Sequence, residues 1–92
     1  MKNKLEEARD IINEVDLEMV KLFKKRMEAV SKVLEYKKEN GLNVLDSSRE
    51  EFIKNKNLAL LNDKELEKYY LEFLDGVLKS SKSFQEDYLN RK

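Results

Sequence analysis

An apolar repeat with no breaker in it constrains this chain more than any other feature. Leu5, Ala8, Ile12, Val15, Met19, Leu22, Arg26, Ala29, Val33 and Tyr36 follow one another at alternating three- and four-residue spacing, the a/d seam of a coiled coil. The chain has no Pro and its first Gly is Gly41, so the run continues to Asn40-Gly41, a good C-terminal stop. A first helix is predicted over about residues 4–40, ~55 Å long at about 1.5 Å per residue. A compact globule of 92 residues is only ~24 to 30 Å across. A helix of this length must therefore pack on another chain or protrude.

Downstream, Ser47 and Glu50 have capping-box spacing, which starts a second helix near Ser48 and carries it to about Leu61. Phe52, Ile53, Leu58, Ala59 and Leu61 are expected on its buried side. Asn62-Asp63 is the next N-cap signal, and a third helix follows over about residues 64–89. Leu66, Tyr70, Phe73, Val77, Phe84 and Tyr88 form its apolar stripe, and Gly76 is a weak spot within it. Two Gly and no Pro leave too little punctuation for a fold of many short strands. The expected class is all-α, one domain over residues 1–92, with helices in the order long, short, long.

Composition then narrows the chemistry. Without Cys there is no disulfide, thiolate metal site or cysteine nucleophile, and without His there is no imidazole acid-base catalysis or His-ligated metal. Arg, Lys, carboxylates, amides and hydroxyls remain. Charged residues make up 41% of the chain, yet 19 Lys+Arg balance 19 Asp+Glu, so no net field recruits nucleic acid or a membrane surface. The first residues are charged rather than leader-like, and the longest apolar run, Leu58 to Leu61, is far short of the ~20 residues of a membrane span. The expected location is the cytosol.

Several polar residues stand where the helical pattern asks for apolar ones. Arg26 interrupts the long seam, and a buried guanidinium requires an anion or a hydrogen-bonded carboxylate. A structural salt bridge or a register-setting role would satisfy it. Lys37, however, lies three helical turns on, so both cations point to almost the same side ~16 Å apart along the axis and can converge on one small anion. Arg9 is ~25 Å from Arg26 along the helix and rotated by about 100°, so it reaches such a site only from an antiparallel, two-fold-related second chain; otherwise it is a solvated surface residue. On the third helix Ser81 and Gln85, one turn apart, interrupt the stripe and offer neutral hydrogen bonds, or are merely satisfied at the edge of a core. Asp46, Arg49 and Glu50 crowd the start of the second helix, where carboxylates also serve as ordinary caps. Charge runs such as Lys24-Lys25 and Lys37-Lys38-Glu39 read most simply as solvated faces.

Taken in order, Arg9 and Asp16, Arg26, Lys37, Asp46 with Arg49-Glu50, and Ser81 with Gln85 resemble the all-helical class of chorismate mutases over nearly the whole chain. The resemblance implies an intertwined antiparallel homodimer with two sites, and conversion of chorismate to prephenate by an intramolecular Claisen rearrangement without cofactor or metal. It implies that Arg26 and the partner subunit's Arg9 hold the two carboxylates, with support from Ser81. Lys37 and Gln85 would donate to the ether oxygen, and Asp46 and Glu50 would receive the ring hydroxyl while Arg49 shapes the local field. Asp16 would position an arginine rather than touch substrate. Two departures stand out: the loop before the second helix lacks the proline often found in this family, and Lys82 follows Ser81 where an apolar wall is expected.

Two other functions fit the same residues. An isochorismate-pyruvate lyase shares the fold and a similar cationic pocket, and the full set of Asp46, Arg49 and Glu50 tilts the balance to the mutase. A non-catalytic helical dimer or interaction module would use Arg9 and Arg26 structurally.

Overall fold

A computed structural model of the chain describes residues 2–90; Met1, Arg91 and Lys92 lie outside the described residues. It contains three helices, α1 (Lys4–Glu39), α2 (Ser47–Leu61) and α3 (Glu67–Asn90), and no strand among the described residues. The all-α class and the long-short-long order agree with the sequence. Contacts divide the chain into two compact units, one up to Lys32 and one from Val33 onward, with the boundary inside α1.

The first unit is a helix. Asn3 starts it, its side-chain Oδ1 accepting from the Glu6 N–H at 2.9 Å while its backbone carbonyl accepts from Glu7 at 3.0 Å. Glu6 and Glu7 add the negative charge that the positive end of the helix dipole favours. The long seam is bare: Leu5, Ile12, Val15, Met19 and Leu22 are all exposed. Burial begins only at the end of the unit, where Arg26 and Met27 are half-buried and Val30 is buried.

The second unit holds the last turns of α1 together with α2 and α3. Leu34, Leu74 and Leu78 are its buried hydrophobic residues. On α1 the residues that bury, Val30 and Leu34, thus stand one position after Ala29 and Val33 of the expected seam, which are exposed. One residue is about 100° of rotation, so the seam read from the heptads and the face covered within the chain are different sides of the helix.

Gly41, at φ 63°, ends α1 in the left-handed conformation. The Leu42 N–H reaches back to the Lys37 carbonyl at 2.8 Å and the Gly41 N–H to Lys38 at 3.4 Å, the paired bonds of a Schellman motif. The loop then returns to α1, because the Lys37 ammonium donates to the Val44 carbonyl at 2.7 Å. Asp46, rather than Ser47, caps α2: its Oδ1 accepts from the Arg49 N–H at 3.0 Å. The capping box expected from Ser47 and Glu50 gives way because Asp46 is placed one residue earlier, which also starts the helix at Ser47.

Three side-chain links join α2 to α3: Glu50 to Lys82 at 3.1 Å, Lys54 to Asp75 at 3.6 Å, and Asn57 to the Tyr70 hydroxyl at 2.9 Å. Residue numbers rise on α2 as they fall on α3, so the two helices are antiparallel. Asn62, left-handed at φ 48°, closes α2 by donating its N–H to Leu58. Asp63 accepts from the N–H groups of Glu65 and Leu66, holding residues 64–66 as a turn, so α3 begins at Glu67 rather than near 64.

Two expected faces are corrected. No residue of α2 is fully buried: Ile53, Leu58 and Leu61 are half-buried, whereas Phe52 and Ala59 are exposed. On α3 the buried line is Leu74, Leu78, Ser81 and Gln85, while Leu66, Phe73 and Tyr88 of the expected stripe are exposed and Tyr70, Val77 and Phe84 half-buried. Near the helix ends the Lys38 ammonium sits 5.8 Å from the centre of the Tyr88 ring, so this lysine is engaged rather than simply solvated.

Candidate functional site

The most unusual feature of the second unit is the composition of its buried line. Ser81 and Gln85 are 7% and 5% exposed, as deeply placed as the leucines one and two turns before them. They do not interrupt the apolar stripe from its side; they continue it. The Ser81 hydroxyl donates to the Val77 carbonyl at 3.1 Å, and the Gln85 Nε2 donates to the Ser81 carbonyl at 3.2 Å. Gln85 Oε1 is buried without a hydrogen-bond partner. An acceptor withdrawn from water and left unpaired typically costs about 1–3 kcal/mol. A leucine here would fill the same space without that cost, so packing alone does not account for the carboxamide.

Lys37 is half-buried at the last turn of α1. Its bond to the Val44 carbonyl fixes where the ammonium lies and uses one of its three donors. A cation held by a backbone oxygen keeps its full charge, which a carboxylate partner would have neutralised.

At the N-terminus of α2 the three expected residues do different things. The Asp46 side chain is the helix cap. Arg49 is exposed, its guanidinium 5.3 Å from the Phe52 ring centre. Glu50 is half-buried and ion-paired with Lys82 of α3. Lys37, Asp46, Arg49, Glu50, Ser81 and Gln85 therefore all belong to the second unit, whereas Arg9 and Arg26 belong to the first, where Arg9 is exposed and Arg26 half-buried.

Two contacts were missed from sequence. The Val44 carbonyl has no side-chain signature, and the Lys82–Glu50 pair becomes visible only once α2 and α3 are known to run antiparallel. Elsewhere in this unit a concavity of about 250 Å³ at the α2–α3 corner is lined by Leu58, Ala59, Asn62, Asp63, Lys64 and Glu67, none of them a site residue expected from sequence. Among the described residues no group of three or more acidic side chains gathers as a metal site would require, and no helix is long and apolar enough to cross a membrane.

The family model for chorismate mutase type II matches residues 8–86. The chain belongs to the chorismate mutase type II family. Its match extends from just before Arg9 to just after Gln85 and so spans all eight expected site residues. As a member of this all-helical family the protein is an enzyme, an isomerase with chorismate mutase activity and chorismate as substrate. No curated protein and no solved structure was found to match the chain.

Proposed function

We propose that the protein converts chorismate to prephenate for phenylalanine and tyrosine biosynthesis in the cytosol, as an intertwined antiparallel homodimer that uses no metal or cofactor. The observation that carries the mechanism is the buried polar pair on α3: Ser81 and Gln85 occupy core positions, and the Gln85 Nε2, which gives one N–H to the Ser81 carbonyl, has a second to give. Such an arrangement suits a carboxamide whose hydrogen bonding is completed by a ligand.

The rearrangement breaks the ether C–O bond and forms a C–C bond within one molecule, so no proton transfer or nucleophile is needed. Catalysis consists of holding the enolpyruvyl side chain over the ring and stabilising the negative charge that develops on the ether oxygen. Arg26 and the partner subunit's Arg9 grip the two carboxylates, with Ser81 in support. Lys37, which gives one of its three donors to the Val44 carbonyl, and the Gln85 Nε2 donate to the ether oxygen. Asp46 and Glu50 receive the ring hydroxyl at the start of α2, beside Arg49. Each preorganised donor in a site of this type is worth about 3–4 kcal/mol of barrier lowering.

The homodimer is supported by the bare seam of α1. Apolar side chains at Leu5, Ile12, Val15 and Leu22 are each about half exposed, a contiguous patch that soluble chains seldom leave uncovered. These exposed seam positions are distinct from Val30 and Leu34, the residues of α1 that are buried within the chain.

The test is turnover of purified protein with chorismate and, separately, isochorismate, following product absorbance, together with the thermal midpoint in each compound. Prephenate formation and a stabilisation of ~2.7 kcal/mol at 100 times Kd are expected with chorismate. Pyruvate release from isochorismate would assign the lyase reaction, and a protein that neither turns over nor is stabilised by either compound is not this enzyme.

A further inference from the structure

We propose that Lys82 is a positioning residue for substrate binding: through its ion pair it holds the Glu50 carboxylate in the orientation that receives the ring hydroxyl of chorismate. This role presupposes the hydroxyl contact assigned to Glu50 above.

The Lys82 Nζ lies 3.1 Å from Glu50 Oε2, with the two side chains 34% and 22% exposed. The pairs Lys21–Glu18 and Lys54–Asp75 are both longer and more exposed. An exposed pair swings and is screened by salt, whereas a pair with both partners half-buried holds one geometry. Lys82 also follows Ser81 directly and precedes Gln85 by less than a turn, so it borders the buried polar line of α3. Glu50 is in the first turn of α2. The pair thus joins the two elements that carry the neutral donor and the hydroxyl acceptors.

The chemistry of the substrate gives this link its use. A site for a dianion is poorly served by a bare carboxylate, which repels what the arginines attract; an ammonium at hydrogen-bond distance offsets that repulsion. A carboxylate has two oxygens and about four lone-pair directions. With Oε2 held by Lys82, Oε1 is left to accept from a hydroxyl in a defined direction. A lysine where this family is expected to carry an apolar wall is therefore a recognition element that acts through its neighbour.

Steady-state kinetics with chorismate on the full-length protein test this role, using Lys82→Met, Lys82→Arg, Glu50→Gln and the Lys82→Met/Glu50→Gln double variant. Lys82→Met keeps the apolar stem and removes the charge. It is expected to raise KM ~10-fold with kcat changed less than about twofold, Lys82→Arg is expected to restore most of the loss, and the double variant should match Glu50→Gln alone. If Lys82→Met does not fold, Lys82→Gln carries the same expectation. An unchanged KM with a lowered thermal midpoint would make Lys82 a clip between helices and overturn the proposal, as would losses that multiply in the double variant. Unaltered kinetics in Glu50→Gln would instead remove Glu50 from the site, a failure of the function reading that is visible without any Lys82 variant.

Discussion

In the proposed mechanism Gln85 is the neutral donor to the ether oxygen. A neutral amide donates at any ordinary pH, whereas a carboxyl in its place donates only when protonated. Gln85→Glu should therefore shift activity towards acid. Burial disfavours the charged carboxylate and raises its pKa above the usual ~4.3, so the variant should be most active below that raised value and lose kcat/KM as pH rises through it. The measurement is kcat/KM against pH for both proteins; a constant ratio across the range would remove Gln85 as the ether-oxygen donor. At this scale the residues themselves were legible as polar intrusions in helical patterns, but their surroundings were not. Asp46 reads from sequence as a substrate contact or an ordinary cap; in the structure its Oδ1 caps α2, and a carboxylate has a second oxygen to offer a hydroxyl. Lys82 looked like a misplaced charge because its partner, Glu50, is distant in the chain and adjacent only through antiparallel pairing.

Helix termini are where this sequence speaks most plainly. Asn40-Gly41 signals the stop of the first helix, and Gly41 adopts the left-handed conformation that such a stop requires. A β-carbon there would meet nothing within 4 Å, so the effect of Gly41→Ala comes from the backbone alone, about 1 kcal/mol of destabilisation. Urea denaturation should register it as a lower midpoint with an unchanged slope; an unchanged midpoint would mean the Schellman turn is not retained. Helix faces were harder to read than helix ends. The heptad seam of α1 reads as a face for another chain; within this one it is exposed, and Val30 and Leu34 bury instead. On α3 the large residues Phe73 and Tyr88 drew the stripe towards themselves, although burial is decided by where the neighbouring helices lie, and Leu74 and Leu78 face them. Periodicity reports that a face exists; which of two adjacent faces is covered first depends on contacts between elements.

At the scale of the whole molecule, the proposed dimer predicts complementation. Arg9→Ala and Arg26→Ala chains should each be nearly inactive alone, since each homodimer lacks the same arginine in both sites. In a mixed pair one site draws Arg26 and Arg9 from the unaltered positions of the two chains and is whole. Random exchange of equal amounts gives half mixed pairs with half their sites intact, so about a quarter of the original activity should return. No recovery in verified heterodimers would place Arg9 outside the site. The uncovered apolar side chains of α1 have a further consequence for the protein in solution. If two molecules must meet before either can work, then at low abundance the output of each molecule depends on how many others surround it. A cell making half as much of the protein would lose more than half of its product, and expression level itself becomes a control on the reaction.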